Sequence, residues 1–69
     1  MLESLAREYV EVVDEMRYGV LDDERMHWLE GQRGVLHEQM QELLGKEYSS
    51  DAMCTLAQNL CWQARLEGR

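Results

Sequence analysis

The chain has 69 residues, a formal net charge of −7 at pH 7 and no proline. A lone chain of this length buries little apolar surface, so we expect one domain over residues 1–69 that is assembled as a homodimer. The acidic balance disfavours direct contact with nucleic acid or with anionic membranes, because both carry negative phosphates. The expected partner is therefore a protein with a basic or apolar surface.

The composition predicts an all-α fold. Leu, Glu, Met, Gln, Arg and Ala are frequent and β-branched residues are few, which favours helix over almost the whole chain. We expect a small helical bundle of two or three amphipathic helices, with the second the longest. Neither a signal-peptide pattern nor an apolar run long enough to span a bilayer is found, so we expect a cytoplasmic protein.

The first predicted helix has apolar residues at spacings of three and four, namely Leu2, Leu5, Tyr9, Val12 and Met16. Ala6 and Val13 widen this stripe, whereas Val10 lies outside it. Residues 1–30 carry nine acidic and three basic residues. The acidic residues within the first helix lie on the face opposite the apolar stripe, and Arg7 is one helical turn from an acidic residue in either direction. We expect this acidic face to be solvated and the helix to end at Gly19 in a left-handed conformation.

The second predicted helix begins near Asp22, a favourable N-cap, and ends at Gly45, which is typical of a C-cap. Leu21 and Met26 have the spacing of a hydrophobic staple across the start. The helix would be about 33 Å long. Its apolar stripe consists of Met26, Leu29, Leu36, Met40, Leu43 and Leu44.

Two glycines, Gly31 and Gly34, interrupt this helix in the stretch "WLEGQRGVL". Each costs the interior of a helix about 1 kcal/mol relative to alanine. Because the apolar period continues in register from Leu29 to Leu36, we favour one continuous helix in which the glycines permit close packing of another helix or a bend. The alternative is a turn at "GQRG".

The third predicted helix covers residues 52–67 and is capped by Ser49, Ser50 or Asp51. Its apolar face consists of Met53, Leu56, Ala57, Leu60 and Ala64. Cys54 and Cys61 are two helical turns, or about 10 Å, apart, which excludes a disulfide between them. We expect both to serve as small apolar side chains, and an intermolecular or redox role is the alternative.

Several large apolar residues lie outside these stripes. Leu21, Trp28 and Val35 repeat every seven residues on the flank of the second helix, and Trp62 and Leu66 point away from the core face of the third. They are either the margin of a wide core or a contact surface for a second subunit or a target. Since Trp, Tyr and Arg often anchor interfaces, the candidate interface residues are Trp28, Arg33, Val35, Tyr48, Trp62 and Leu66, with Gly31 and Gly34 as close-packing glycines.

The sequence offers no constellation that is typical of catalysis or of metal binding. His27 lies three residues from Glu24 and from Glu30, but a carboxylate-bridged metal site needs two such pairs. No C-x-x-C motif, nucleophile elbow or phosphate-binding glycine loop is found. We therefore expect no enzyme activity, no cofactor and no metal, and the near absence of basic residues in the third helix argues against direct DNA binding.

In its size, its opening helix "MLESLAREYVEVV" and its lack of a recognisable active site, the chain resembles the quorum-sensing anti-activators that bacteriophages of pseudomonads encode. The resemblance implies a helical dimer that binds a LuxR-type transcription activator, and a second host protein such as a pilus-assembly ATPase. It assigns no role to any single residue. The alternatives are a chaperone or subunit of a larger assembly and an acidic DNA mimic, although the second half of the chain is nearly neutral, which disfavours a mimic.

Overall fold

The computed structural model describes residues 2–20 and 22–67, which form three helices. These are α1 (Leu2–Tyr18), α2 (Asp23–Leu44) and α3 (Ser50–Glu67). No strand occurs in the described part of the chain. The predicted all-α bundle, with the second helix the longest, is confirmed.

Both predicted caps of α2 are confirmed. Asp22 has an extended conformation, and its carboxylate accepts a hydrogen bond of 2.7 Å from the backbone N–H of Arg25. At the other end Gly45 has a φ of 69°, and its N–H donates to the carbonyl of Gln41 at 2.8 Å. Only glycine adopts this left-handed conformation without strain, so the two caps define the length of α2.

The end of α1 differs from the prediction. Gly19 follows the last helical residue, and its N–H donates to the carbonyl of Glu15 at 2.9 Å. Its φ is not positive, since Gly45 is the one glycine with a positive φ among the described residues. The predicted left-handed conformation of Gly19 is therefore wrong. The helical hydrogen bonding continues to the N–H of Gly19 instead. The proposed staple between Leu21 and Met26 involves residue 21, which lies outside the described residues.

Helix α3 begins two residues earlier than predicted, at Ser50. The hydroxyl of Ser49 accepts a hydrogen bond of 3.2 Å from the N–H of Ala52, so Ser49 is the capping residue among the three candidates.

Helix α1 lies at the centre of the bundle. It packs against both α2 and α3, whereas α2 and α3 make far less contact with each other. The core cluster draws on all three helices and consists of Ala6, Tyr9, Val13, Leu36, Met40, Met53 and Ala57. Val10, which the periodicity placed outside the stripe, also packs against this cluster. A helix with a neighbour on either flank buries a wider arc than a single stripe, which explains the burial of Val10.

Helices α1 and α2 run antiparallel. Arg25 at the start of α2 binds Glu15 near the end of α1, and the ring of His37 lies 6.4 Å from that of Tyr9, nearer the middle of both helices. This direction follows from the short connection between the two helices.

The predicted core stripe of α2 is too wide. Leu29, Leu36 and Met40 are buried, but Leu43 is 50% exposed. Helix α2 has α1 as its main neighbour, so only a narrow arc of its surface is covered. Leu43 belongs to the exposed margin of this arc.

Replacement of Met40 by alanine should lower the free energy of unfolding by about 2–5 kcal/mol, because the side chain is completely buried and its removal leaves a cavity. Leu43→Ala removes a side chain of similar size from the exposed margin of the same helix and should cost about 1 kcal/mol or less. Urea denaturation of the two variants measures the difference. Equal losses would contradict the placement of the core.

Candidate interaction surface

Large apolar side chains remain exposed on the two outer helices. On α2, Trp28 is 51% exposed, and Val35 and Leu43 are exposed to a similar degree. On α3, Trp62 is 62% exposed and Leu66 is also exposed. The predicted interface residues Trp28, Val35, Trp62 and Leu66 are thus outside the core. The structure divides them between two helices that make little contact with each other.

The indole of Trp28 is paired with a guanidinium. The Cζ atom of Arg25 lies 4.6 Å from the centroid of the Trp28 ring, a typical cation–π distance. The same guanidinium donates two hydrogen bonds to the carboxylate of Glu15, of 2.6 and 2.9 Å. These bonds lower the pKa of Glu15 and raise that of Arg25. The pair therefore remains charged at lower pH than an ordinary glutamate would allow.

An open groove runs between α1 and α2 beside this pair, and we call it the acidic groove. Val12, which is partly exposed, borders the groove, and the buried Leu29 and Leu36 lie at its base. The α1 wall carries the carboxylates of Glu8, Glu11 and Glu15. The α2 wall carries the side chains of Arg25, Trp28 and Gln32. The groove thus combines an apolar lining, one exposed indole and an excess of negative charge.

The outer side of α3 has a different character. No charged residue occurs between Asp51 and Arg65, although 30% of the chain is charged. From Ala52 to Leu66 the exposed residues are, apart from Arg65, uncharged: Ala52, Thr55, Gln58, Asn59, Trp62, Gln63 and Leu66. We call this surface the neutral face of α3. An exposed helix face that carries two large apolar residues and few charges is typical of an interface core.

Arg33 and Tyr48, the other two candidates, are half-buried. The N–H of Tyr48 donates to Oε1 of Gln41 at 2.8 Å, and the ammonium group of Lys46 lies 5.5 Å from the centroid of its ring. Arg33 lines a groove with Asp51 at the start of α3. Neither residue belongs to the acidic groove or to the neutral face.

A polar cluster of His37, Gln41 and Tyr48 joins α2 to the connection before α3. Nε2 of His37 lies 3.0 Å from Oε1 of Gln41 and 2.9 Å from the carbonyl oxygen of Tyr48. Both partners are acceptors, since Gln41 Oε1 already accepts from Tyr48, so Nε2 of His37 must carry a proton. This cluster has no recognisable signature in the sequence, because its members are 4 to 11 residues apart and none matches a motif.

The glycine pair lies within a continuous helix, so the preferred interpretation of "GQRG" as helix is confirmed. A Cβ atom built on Gly31 or Gly34 would have no heavy atom of another part of the described chain within 4 Å. No helix of the same chain therefore makes use of the missing side chains. Gly31 lies three residues after Trp28 and four before Val35, on the same exposed side of α2.

The remaining features that the sequence raised are the two cysteines, possible metal ligands and possible membrane-spanning helices. Cys54 and Cys61 are free thiols that pack against the core as partly buried apolar groups. Within residues 2–20 and 22–67 no three His, Cys, Asp or Glu side chains are grouped so that they could hold a metal ion. None of the helices in this part of the chain is both long and apolar enough to cross a bilayer.

Comparison of the chain with protein-family models, with curated proteins and with solved structures finds no match.

Replacement of Gly31 or Gly34 by alanine should raise the free energy of unfolding by about 0.5–1 kcal/mol each, since both are helical and an added methyl group meets open space. Gly45→Ala is the matched control. It should lower the free energy of unfolding by about 1–2 kcal/mol, because residue 45 has a left-handed conformation. Urea denaturation tests both, and destabilisation by alanine at position 31 or 34 would contradict the open surroundings of these glycines.

Proposed function

We propose that this chain is a non-enzymatic, homodimeric protein of the cytoplasm that inhibits or modulates a regulatory protein by direct contact. The observation that supports the proposal is the exposure of two tryptophans, Trp28 and Trp62, on separate helices of a domain whose core is complete without them. Exposed indoles lower solubility unless a partner covers them, and tryptophan is among the residues that most often anchor interfaces.

The two surfaces suit different partners. Two copies of a chain with a charge of −7 repel each other least where no acids face each other, which favours the neutral face of α3 for dimerisation. The acidic groove suits a partner of opposite charge. We therefore assign Trp62 and Leu66 to the dimer and Trp28 to the target.

Sedimentation equilibrium should give a dimer at micromolar concentration. Trp62→Ala should weaken the dimer by more than about 2 kcal/mol, as truncation of a buried interface anchor does. Tyr18→Ala, which alters an exposed aromatic residue at the end of α1, is the control and should leave association unchanged. A monomer with cooperative unfolding at these concentrations would refute the dimer.

The target class to test first is a LuxR-type transcription activator, which the resemblance to phage anti-activators suggests. A transcription activator binds DNA and so presents a basic surface, which an acidic protein can cover. This charge relationship supports the assignment of the acidic groove to the target.

Coexpression with a LuxR-type activator should yield a complex and should lower transcription from a promoter that the activator controls. Trp28→Ala should weaken the complex by more than about 2 kcal/mol and restore transcription, whereas its helical content should remain close to that of the unmodified chain. Circular dichroism provides the control for folding. Transcription that stays unchanged at an excess of the unmodified chain would count against this target class.

A further inference from the structure

We infer that the acidic groove binds an amphipathic helix of another protein that carries arginine or lysine residues beside its apolar stripe. The inference rests on the proposed function, because it names the chemistry of the partner that this surface would recognise.

The position of the groove suits a helix. It follows two antiparallel helices, and its accessible apolar surface consists of the partly exposed Val12 and the half-exposed Trp28, above the buried Leu29 and Leu36. Helix α3 packs against α1 by another flank, where Cys61 and Ala64 line a groove with Val10. The outer side of the α1–α2 pair is thus left open for a fourth helix, and an amphipathic helix places its apolar stripe in such a groove.

The charge of the groove selects a cationic helix. Three carboxylates line it, and Arg25 is the only basic residue among its lining residues. Glu15 is bound to Arg25, so Glu8 and Glu11 remain for basic side chains of the occupant. Charge complementarity of this kind favours the correct partner over neutral or acidic helices and accelerates association.

Arg25 shows how the groove holds a guanidinium. Its planar group bridges the Glu15 carboxylate and the face of the Trp28 indole, two groups that supply ionic and cation–π contacts. An arginine of the partner makes the same two contacts when it displaces Arg25. In the free protein Arg25 therefore occupies the contacts that the partner's arginine would make.

A second copy of the chain does not supply a helix that is rich in arginine or lysine. Among the described residues no helix has more than two basic residues: Arg7 and Arg17 in α1, Arg25 and Arg33 in α2, and Arg65 in α3. The occupant therefore belongs to a different protein.

The test uses the full chain and three synthetic peptides of about 18 residues, or five helical turns. The first has a leucine stripe flanked by arginines, the second has the same composition with the stripe scrambled, and the third has glutamates in place of the arginines. Isothermal titration calorimetry should show the first peptide to bind about ten-fold more tightly than either of the others. In ¹⁵N spectra its addition should shift the signals of Val12, Trp28 and Leu36. Equal affinity for the first two peptides, or shifts at Trp62 instead, would overturn the inference.

Matched variants locate the binding. Trp28→Ala should lower the affinity for the first peptide about ten-fold or more. Glu8→Gln should lower it about three-fold, as expected for an exposed ion pair, whereas Glu38→Gln makes the same charge change on the outside of α2 and should have almost no effect. Equal effects of the two glutamine variants would mean that the peptide responds only to net charge, which would also overturn the inference.

Arg25→Gln provides a variant that gains affinity, which misfolding cannot imitate. The substitution leaves the backbone cap at Asp22 in place and frees both Glu15 and Trp28, so the first peptide should bind about three-fold or more tightly than to the unmodified chain. Weaker binding would show that a partner does not take the position of Arg25. Absence of peptide binding together with an intact dimer would refute this inference alone, whereas peptide binding by a strictly monomeric chain would support it and contradict the proposed dimer.

Discussion

The bundle depends on the burial of one helix against two others. Ala6, Tyr9 and Val13 of α1 are almost completely buried, and α2 and α3 touch each other little. Each outer helix is therefore held mainly through α1. The small side chain of Ala6 and the large one of Tyr9 fill this shared interface together, and burial raises the pKa of the Tyr9 phenol. Without α1 the other two helices would have no common core.

This arrangement explains the exposed apolar residues. A helix with neighbours on two flanks buries most of its apolar surface, but a helix with one main neighbour covers only a narrow arc. Leu43, Trp28 and Val35 on α2, and Trp62 and Leu66 on α3, all lie beyond that arc. The two contact surfaces that we propose are thus the direct result of a central α1 with one outer helix on either flank.

Charge is kept at the surface throughout the described residues. No polar or charged residue is fully buried there, and the ion pair of Glu15 and Arg25 is partly exposed. Such a pair contributes little to stability. The ion pair lies beside Trp28, where Arg25 occupies the contacts that we infer for an arginine of the partner. The polar cluster of His37, Gln41 and Tyr48 instead orders the connection to α3 through backbone groups.

Sequence periodicity and capping residues predicted the helices well, because both depend on neighbours within a few positions. Asp22 and Gly45 set the limits of α2, and the register from Leu29 to Leu36 indicated that it continues through both glycines. The same local rules could not place Leu43 or Val10, since their burial depends on which helix lies beside them.

The exposure of the candidate interface residues was predicted in part. Trp28, Val35, Trp62 and Leu66 are exposed and were selected as apolar residues off the stripes, whereas Arg33 and Tyr48 were selected by residue type and are half-buried. The sequence by itself determined the helical fold, the limits of α2 and the surplus of apolar residues, because these follow from propensity, caps and the count of positions on each face. Only the tertiary structure decided that Arg25 joins Glu15 to Trp28 and that an acidic groove stays open beside them, since residues ten or more positions apart meet only when helices pack.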